Sequence, residues 1–248
     1  METPIIEVND VTMRFNLATE KTDTIKEYFV KLIKGELYFN EFFALKNVSF
    51  SVQKGEAVAL IGKNGSGKST MLKIIAGVMY PSKGQLRVRG SIAPLIELGA
   101  GFDMDLTARE NIYLNGAVMG MDRQFMDQHF DEIIEFAELQ NFIDVPIKNY
   151  SSGMVSRLGF AIATVVRADI LVVDEVLAVG DFKFQEKCKE KMFELLQGGT
   201  TLLFVSHSGS QVKELCSRAI WLENGCVMAD GPATEVYEQY ERKMEQSS

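Results

Sequence analysis

The chain has 248 residues and a formal net charge of −8, from 26 Lys plus Arg against 34 Asp plus Glu. At 46% hydrophobic and 24% charged residues it sits in the ordinary globular range, which excludes a disordered or fibrous chain. The acidic balance argues against a life on nucleic acid, and no uncharged apolar run reaches the roughly 18 residues that a membrane span needs.

The N-terminus, METPIIEVND, has no basic stretch followed by an apolar one, so no secretory signal is expected. Three cysteines, Cys188, Cys216 and Cys226, lack CxxC spacing and read as reduced thiols rather than a zinc site.

In chain order, Ile5–Val11 predicts a first strand. Thr24–Lys34 (TIKEYFVKLIK) places Ile25, Phe29, Leu32 and Ile33 on one face of a short amphipathic helix. Strands near Leu45–Val52 and Ala57–Ile61 lead into a glycine-rich turn and a helix over Ser69–Ala76. Leu86–Val88 and Ile92–Ile96 predict strands around the Arg89-Gly90 turn. From Thr107 to Gln140 the pattern is helical and polar-rich, Pro146 ends that section, and a second helix runs from near Gly153 to Arg167. Its polar setting predicts a solvent-exposed His129.

The all-apolar runs Ile170–Val173 and Leu202–Val205 suit strands buried on both faces. Ala219–Glu223 and Cys226–Ala229, joined by Asn224-Gly225, predict a hairpin, because Asn-Gly suits a type I′ turn. Thr234–Met244 predicts an amphipathic helix capped by Thr234. Apolar runs alternating with helical patterns signal βαβ units and a mainly parallel sheet. The helical stretch at about 95–165 reads as an insert within one α/β domain.

Gly62-Lys63-Asn64-Gly65-Ser66-Gly67-Lys68-Ser69-Thr70 fits GxxxxGK[ST] between a predicted strand and a predicted helix, the context that a phosphate-binding loop requires. The glycines let backbone N–H groups point at phosphates, at a helix N-terminus whose dipole favours anions. Lys68 supplies positive charge to the β- and γ-phosphates, and the Ser69 hydroxyl suits Mg²⁺. Ile170–Val173 runs directly into Asp174 and Glu175. Beside a phosphate loop, Asp174 is the expected Mg²⁺ group, and Glu175 is placed to act as general base on an attacking water. His207 follows the second buried strand, at the sheet edge where these groups converge, and is expected at the γ-phosphate. Ser151-Ser152-Gly153 alone reads as a helix cap. Small residues at a helix N-terminus also make an anion site.

Together these motifs resemble the ATPase subunit of an ABC transporter. GKNGSGKST matches the family's Walker A loop, YSSGM stands where its LSGGQ-type signature lies, ILVVDE matches the Walker B strand, Val179-Gly180-Asp181 the D-loop, and His207 the switch histidine. The resemblance implies an α/β P-loop NTPase fold of ABC type, with an antiparallel β subdomain and a helical insert. It also implies ATP and Mg²⁺ as cofactors and a head-to-tail homodimer. In that dimer Ser151, Ser152, Gly153 and Asp181 serve the nucleotide held by the partner copy's Gly62–Thr70 loop.

Several positions depart from the family pattern. The signature has Ser152 for a glycine and Met154 for the glutamine, and Val176 follows Glu175 where many relatives have proline. The Q-loop glutamine is missing, with Glu97 at about its place as a candidate Mg²⁺ contact. Phe15 falls where the adenine-stacking aromatic lies.

The Q-loop stretch, YSSGM, DEVLAVGD and the insert before FFALKNVSF resemble the ATPases of capsular polysaccharide, O-antigen and teichoic-acid exporters. That resemblance implies a single domain over residues 1–248, with a gate-helix-like insert at about 18–41 that includes Thr24–Lys34. It implies a peripheral ATPase on the cytoplasmic face of the inner membrane, bound to an integral permease and exporting a lipid-linked polysaccharide, with no nucleic acid partner. Some O-antigen relatives carry a C-terminal carbohydrate-binding domain, and its absence here predicts no glycan selection of that type. The competing expectations are the ATPase of an ABC importer and a soluble ABC ATPase. A P-loop GTPase is disfavoured, because no NKxD-type guanine-reading motif occurs.

Overall fold

The computed structural model describes residues 3–18, 39–96, 98–99, 101–174 and 180–246. The predicted helix Thr24–Lys34, Glu97 and Glu175 lie outside the described residues.

Two sheets organise the described chain. In the first, β1 (Ile6–Ala18) lies between β2 (Phe39–Val52) and β4 (Lys83–Val88), and both pairings are antiparallel. β1 runs well past the predicted end at Val11. The chain passes Asn9-Asp10 with register shifts, and Asp10 takes a left-handed φ of 50°. A bulge absorbs the extra residue and the pairing resumes.

The second sheet has the order β5-β6-β7-β3-β8-β9. Its strands are β3 (Ala57–Ile61), β5 (Ile92–Leu95), β6 (Ile170–Asp174), β7 (Thr201–Val205), β8 (Arg218–Glu223) and β9 (Cys226–Pro232). All neighbours are parallel except β8 and β9, so the predicted parallel sheet and its terminal hairpin both form.

Strand alternation divides the core into two faces. Val58, Leu60, Val172, Leu203 and Val205 point toward Leu72 and Ile75 of α1 (Lys68–Ile75) and toward the first sheet's Ile6 and Leu45. Ala59, Ile61, Val173 and Phe204 point the other way, onto Phe160 of α4 (Ser152–Val165) and Phe184 and Met192 of α5 (Phe182–Gln197). Val212 of α6 (Gly209–Leu215) and Tyr237 of α7 (Ala233–Gln246) complete that face.

α4 also joins a third cluster with α2 (Ala108–Val118) and α3 (Arg123–Ala137), through Ile112, Phe130, Ile134 and Leu158. Thr107 and Glu110 form a reciprocal capping box at the start of α2, and Asp122 caps α3 through the Phe125 N–H. Each device satisfies N–H groups that a helix start otherwise leaves open.

Two expectations need correction. Thr234 does not cap the last helix: α7 begins at Ala233, whose N–H donates to Ser217 O at 3.0 Å, so a backbone carbonyl does that work. His129 is half-buried rather than exposed. Its ring stacks on Phe125 with centroids 4.2 Å apart, and Nδ1 lies 3.1 Å from Phe125 O. Cys188 and Cys216 are buried thiols, each pushed up to about 12 by burial, so both stay protonated.

Candidate nucleotide site

Parallel registry brings the chemistry to one sheet edge. Leu60 of β3 pairs with Val205 of β7, which pairs with Asp174 of β6, so the three lie on one rung. At strand spacing that puts Asp174 about 10 Å across from Leu60. The glycine-rich loop begins two residues beyond Leu60, and His207 stands two beyond Val205. Ligands of open α/β sheets bind at this carboxyl edge.

The loop from Gly62 to Thr70 has the backbone its glycines predict. Gly62, Gly65 and Gly67 take φ of 148°, 78° and 107°. A Cβ on Gly67 would stand 2.5 Å from Ala44 O, and one on Gly62 would strike Leu222 O, so neither position admits a side chain. Gly67 caps α1 without a side-chain bond, and no acidic residue occupies the helix's first turn. The helix start therefore keeps N–H groups and positive dipole for an anion. Lys68, only 6% exposed, folds back so that Nζ donates to Gly62 O at 2.7 Å and Lys63 O at 3.0 Å. Ser66 is also buried, and its Oγ has no hydrogen-bond partner among the described residues.

Beside the loop lies a hollow of about 200 Å³, lined by Asn64, Gly65, Lys68, Ser69, Phe15 and Phe42, among others. Phe15 and Phe42 face each other directly across the β1–β2 pair. Phe42 keeps 47% of its surface exposed beside the hollow. Sequence reasoning finds Phe15 by its place in the motif order but misses Phe42, because cross-strand register is not written in spacing along the chain.

The remaining candidates sit elsewhere. Ser151 caps α4, accepting the Met154 N–H at 3.2 Å, and Ser151 and Ser152 are exposed; neither they nor Gly153 line the hollow. Asp181 caps α5 through the Phe184 N–H at 2.9 Å, and its other oxygen accepts from Arg157 of α4 at 2.8 Å. The Phe184 N–H, and after it the Arg157 charge, hold the Asp181 carboxyl below its usual range. Within one chain Asp181 thus fixes the start of α5.

His207 is exposed on a loop that is held from two sides. Ser206 Oγ accepts the Ser208 N–H at 3.0 Å and donates to Gln211 Oε1 at 2.8 Å, while Tyr237 OH donates to His207 O at 3.3 Å.

The oxygen donors that would hold a divalent ion at this edge are the Ser69 hydroxyl and the Asp174 carboxylate. Among the described residues no group of three or more His, Cys, Asp or Glu could hold a metal ion. Few, hard oxygen donors fit Mg²⁺, which completes its octahedron with phosphate oxygens and water.

Residues 45–178 match the family model described as ABC transporter. The chain belongs to the ABC transporter family. It is 45% identical to the O-antigen export system ATP-binding protein RfbB of Klebsiella pneumoniae, over 97% of this chain and 99% of that one. It is also 45% identical to the teichoic acids export ATP-binding protein TagH of Listeria monocytogenes, over 93% of this chain and 68% of that one. Among solved structures, a dimeric ATP-binding cassette in a post-hydrolysis state with ADP and Pi superposes with a TM-score of 0.74. It shares 24% identity and is covered to 98% by 92% of this chain, which establishes the ABC cassette fold.

For an ABC chain that binds nucleotide, the two phenylalanines predict a base-dependent affinity. Phe15→Ala is expected to weaken ATP binding by about 1–3 kcal/mol, roughly five- to 150-fold in Kd, since stacking on each base is worth that much. Isothermal calorimetry reads it directly, and an unchanged Kd removes Phe15 from the site.

Proposed function

We propose that this chain is the ATP-hydrolysing subunit of an exporter that moves a lipid-linked polysaccharide across the bacterial inner membrane. The reading is carried by one observation: the match to an O-antigen export ATP-binding protein runs along essentially the full length of both chains. No helix among the described residues is long and apolar enough to cross a membrane, so the lipid-spanning path falls to a separate permease.

Two copies pair head to tail, and each ATP lies between the Gly62–Thr70 loop of one and the Ser151–Gly153 helix start of the other. Lys68 meets the β- and γ-phosphates. Ser69 and Asp174, with Glu97 as a further candidate contact, would hold Mg²⁺, which would supply positive charge beside the phosphates. Glu175 takes a proton from the attacking water, and His207 donates a hydrogen bond to the γ-phosphate. The γ-phosphate is the anion that the opposing helix N-terminus binds, so ATP closes the pair and hydrolysis releases it.

A groove of about 570 Å³ supports the permease contact. It is lined by Ile92, Pro94, Leu98, Phe102, Val118 and Met119, between the parallel sheet's β5 and the α2–α4 cluster. Its apolar walls and the 79% exposure of Val118 suit an apolar helical segment laid into it.

The test replaces the native chain in its host by Lys68→Ala and follows the lipid-linked glycan on each side of the inner membrane. Accumulation on the cytoplasmic side, with loss at the surface, is the expected result. Normal surface glycan overturns the polysaccharide reading while leaving the ATPase intact.

A further inference from the structure

The turn between β8 and β9 does more than reverse the chain. Asn224 and Gly225 are both left-handed, with φ of 50° and 80°, as a type I′ turn requires. Gly225 then makes two backbone bonds beyond its own hairpin. Its N–H donates to Ser66 O in the phosphate loop at 3.2 Å, and its carbonyl accepts the Lys46 N–H of β2 at 2.8 Å. One residue thus bridges the phosphate loop and the strand that carries Phe42.

The fit around this bridge is close on every side. A Cβ on Gly225 would lie 2.8 Å from Ala44 O and 3.1 Å from Leu45 Cα. From the other direction Gly67 presses on the same Ala44 O and on Leu45 Cδ2, and Gly62 on Leu222 O of β8. Three glycines therefore interlock with one stretch of β2 and one end of β8. The phosphate loop keeps its own anchors, β3 before it and α1 after it. Phe42, two residues ahead of Ala44, reaches the loop through β2, and this turn joins β2 to the loop.

We infer that the Asn224-Gly225 turn is a positioning element that sets the phosphate cradle of Gly62–Thr70 in register with the Phe15–Phe42 pair. The inference rests on the hollow being the ATP site. A ligand that touches both cradle and aromatics depends on their register, whereas a ligand that touches the cradle alone meets a loop that β3 and α1 still anchor when the Gly225 bond to Ser66 O is disturbed.

The experiment compares Mg²⁺–ATP with inorganic tripolyphosphate, which has the phosphates and no base, on the full chain by calorimetry. Asn224→Val puts a β-branched side chain where φ is positive; Gly225→Ala adds the excluded Cβ; Asn224→Gly keeps the left-handed geometry. Asn224→Val and Gly225→Ala are expected to raise the ATP Kd by at least about tenfold and leave tripolyphosphate within about twofold, while Asn224→Gly matches the parent for both. With ATP saturating, kcat stays within about twofold, because the reacting groups are not moved. Equal losses for both ligands would reduce the turn to general support of the fold, and an unchanged ATP Kd in Asn224→Val would remove its role; either overturns the inference. Lys68→Ala separates the two levels. If it still binds both ligands as the parent does, the site itself is misassigned and the inference goes with it.

Discussion

Lys68→Ala is expected to lose ATP binding in calorimetry while the chain still melts cooperatively. Lys68 is 6% exposed and its ammonium is held by Gly62 O and Lys63 O, so its position over the loop is set before any nucleotide arrives. Removing it takes away the protein cation that the loop itself brings to the β- and γ-phosphates. Truncating one partner of a desolvated charge pair costs about 2–5 kcal/mol, roughly 30- to several-thousand-fold in Kd. Stability is expected to change far less. The two carbonyls that lose their donor sit on a loop whose neighbours Lys63, Asn64 and Gly65 are exposed, so water can replace the ammonium. Retained ATP affinity in a folded Lys68→Ala chain would sink the phosphate-loop assignment, and lost affinity with a collapsed melting transition would show that the lysine mainly supports the fold.

That expectation draws on a motif plainly visible in the sequence, and other parts of the molecule show why visibility varies. Ile170–Val173 and Leu202–Val205 are legible because both faces of a central parallel strand are buried, which leaves an uninterrupted apolar run. The Asn224-Gly225 hairpin is legible because few residue pairs tolerate two positive φ values in succession.

The continuation of β1 from Val11 to Ala18 goes beyond the apolar run Ile5–Val11. The later residues are held by pairing with β2, and as far as Thr12 with β4, and those partners are not written in local spacing. Helix α5 is hidden for another reason. It buries only Phe184, Cys188 and Met192, one residue per turn, within a run dense in Lys and Glu. At the site, a local motif carries Gly62–Thr70 and Asp174, whereas Phe42 and Gly225 depend on which strands lie side by side. Asp181 carries a second duty that its motif position does not show: within its own chain it caps α5 through the Phe184 N–H and pairs with Arg157 of α4.

Glu175→Gln is the substitution expected to separate binding from chemistry most widely. Asp174, the residue before it in sequence, ends β6 on the rung of Val205 and Leu60, at the edge where the loop and His207 stand. An amide in place of the carboxylate keeps the size and hydrogen-bonding capacity of the side chain and removes its basicity. ATP affinity should stay within about twofold, and turnover should fall by about 10²–10⁴, the usual contribution of a general base. Because the γ-phosphate then persists, it should hold the partner copy's α4 N-terminus, where Ser151 has committed its side chain to the Met154 N–H and a helix start leaves its first N–H groups without intrahelical partners. Light scattering should report twice the monomer mass with ATP and the monomer mass with ADP. Normal hydrolysis would assign the base elsewhere. Slow hydrolysis without an ATP-dependent dimer would keep Glu175 as the base and discard the γ-phosphate as the bridge between copies, which makes the two measurements independent checks on two different steps.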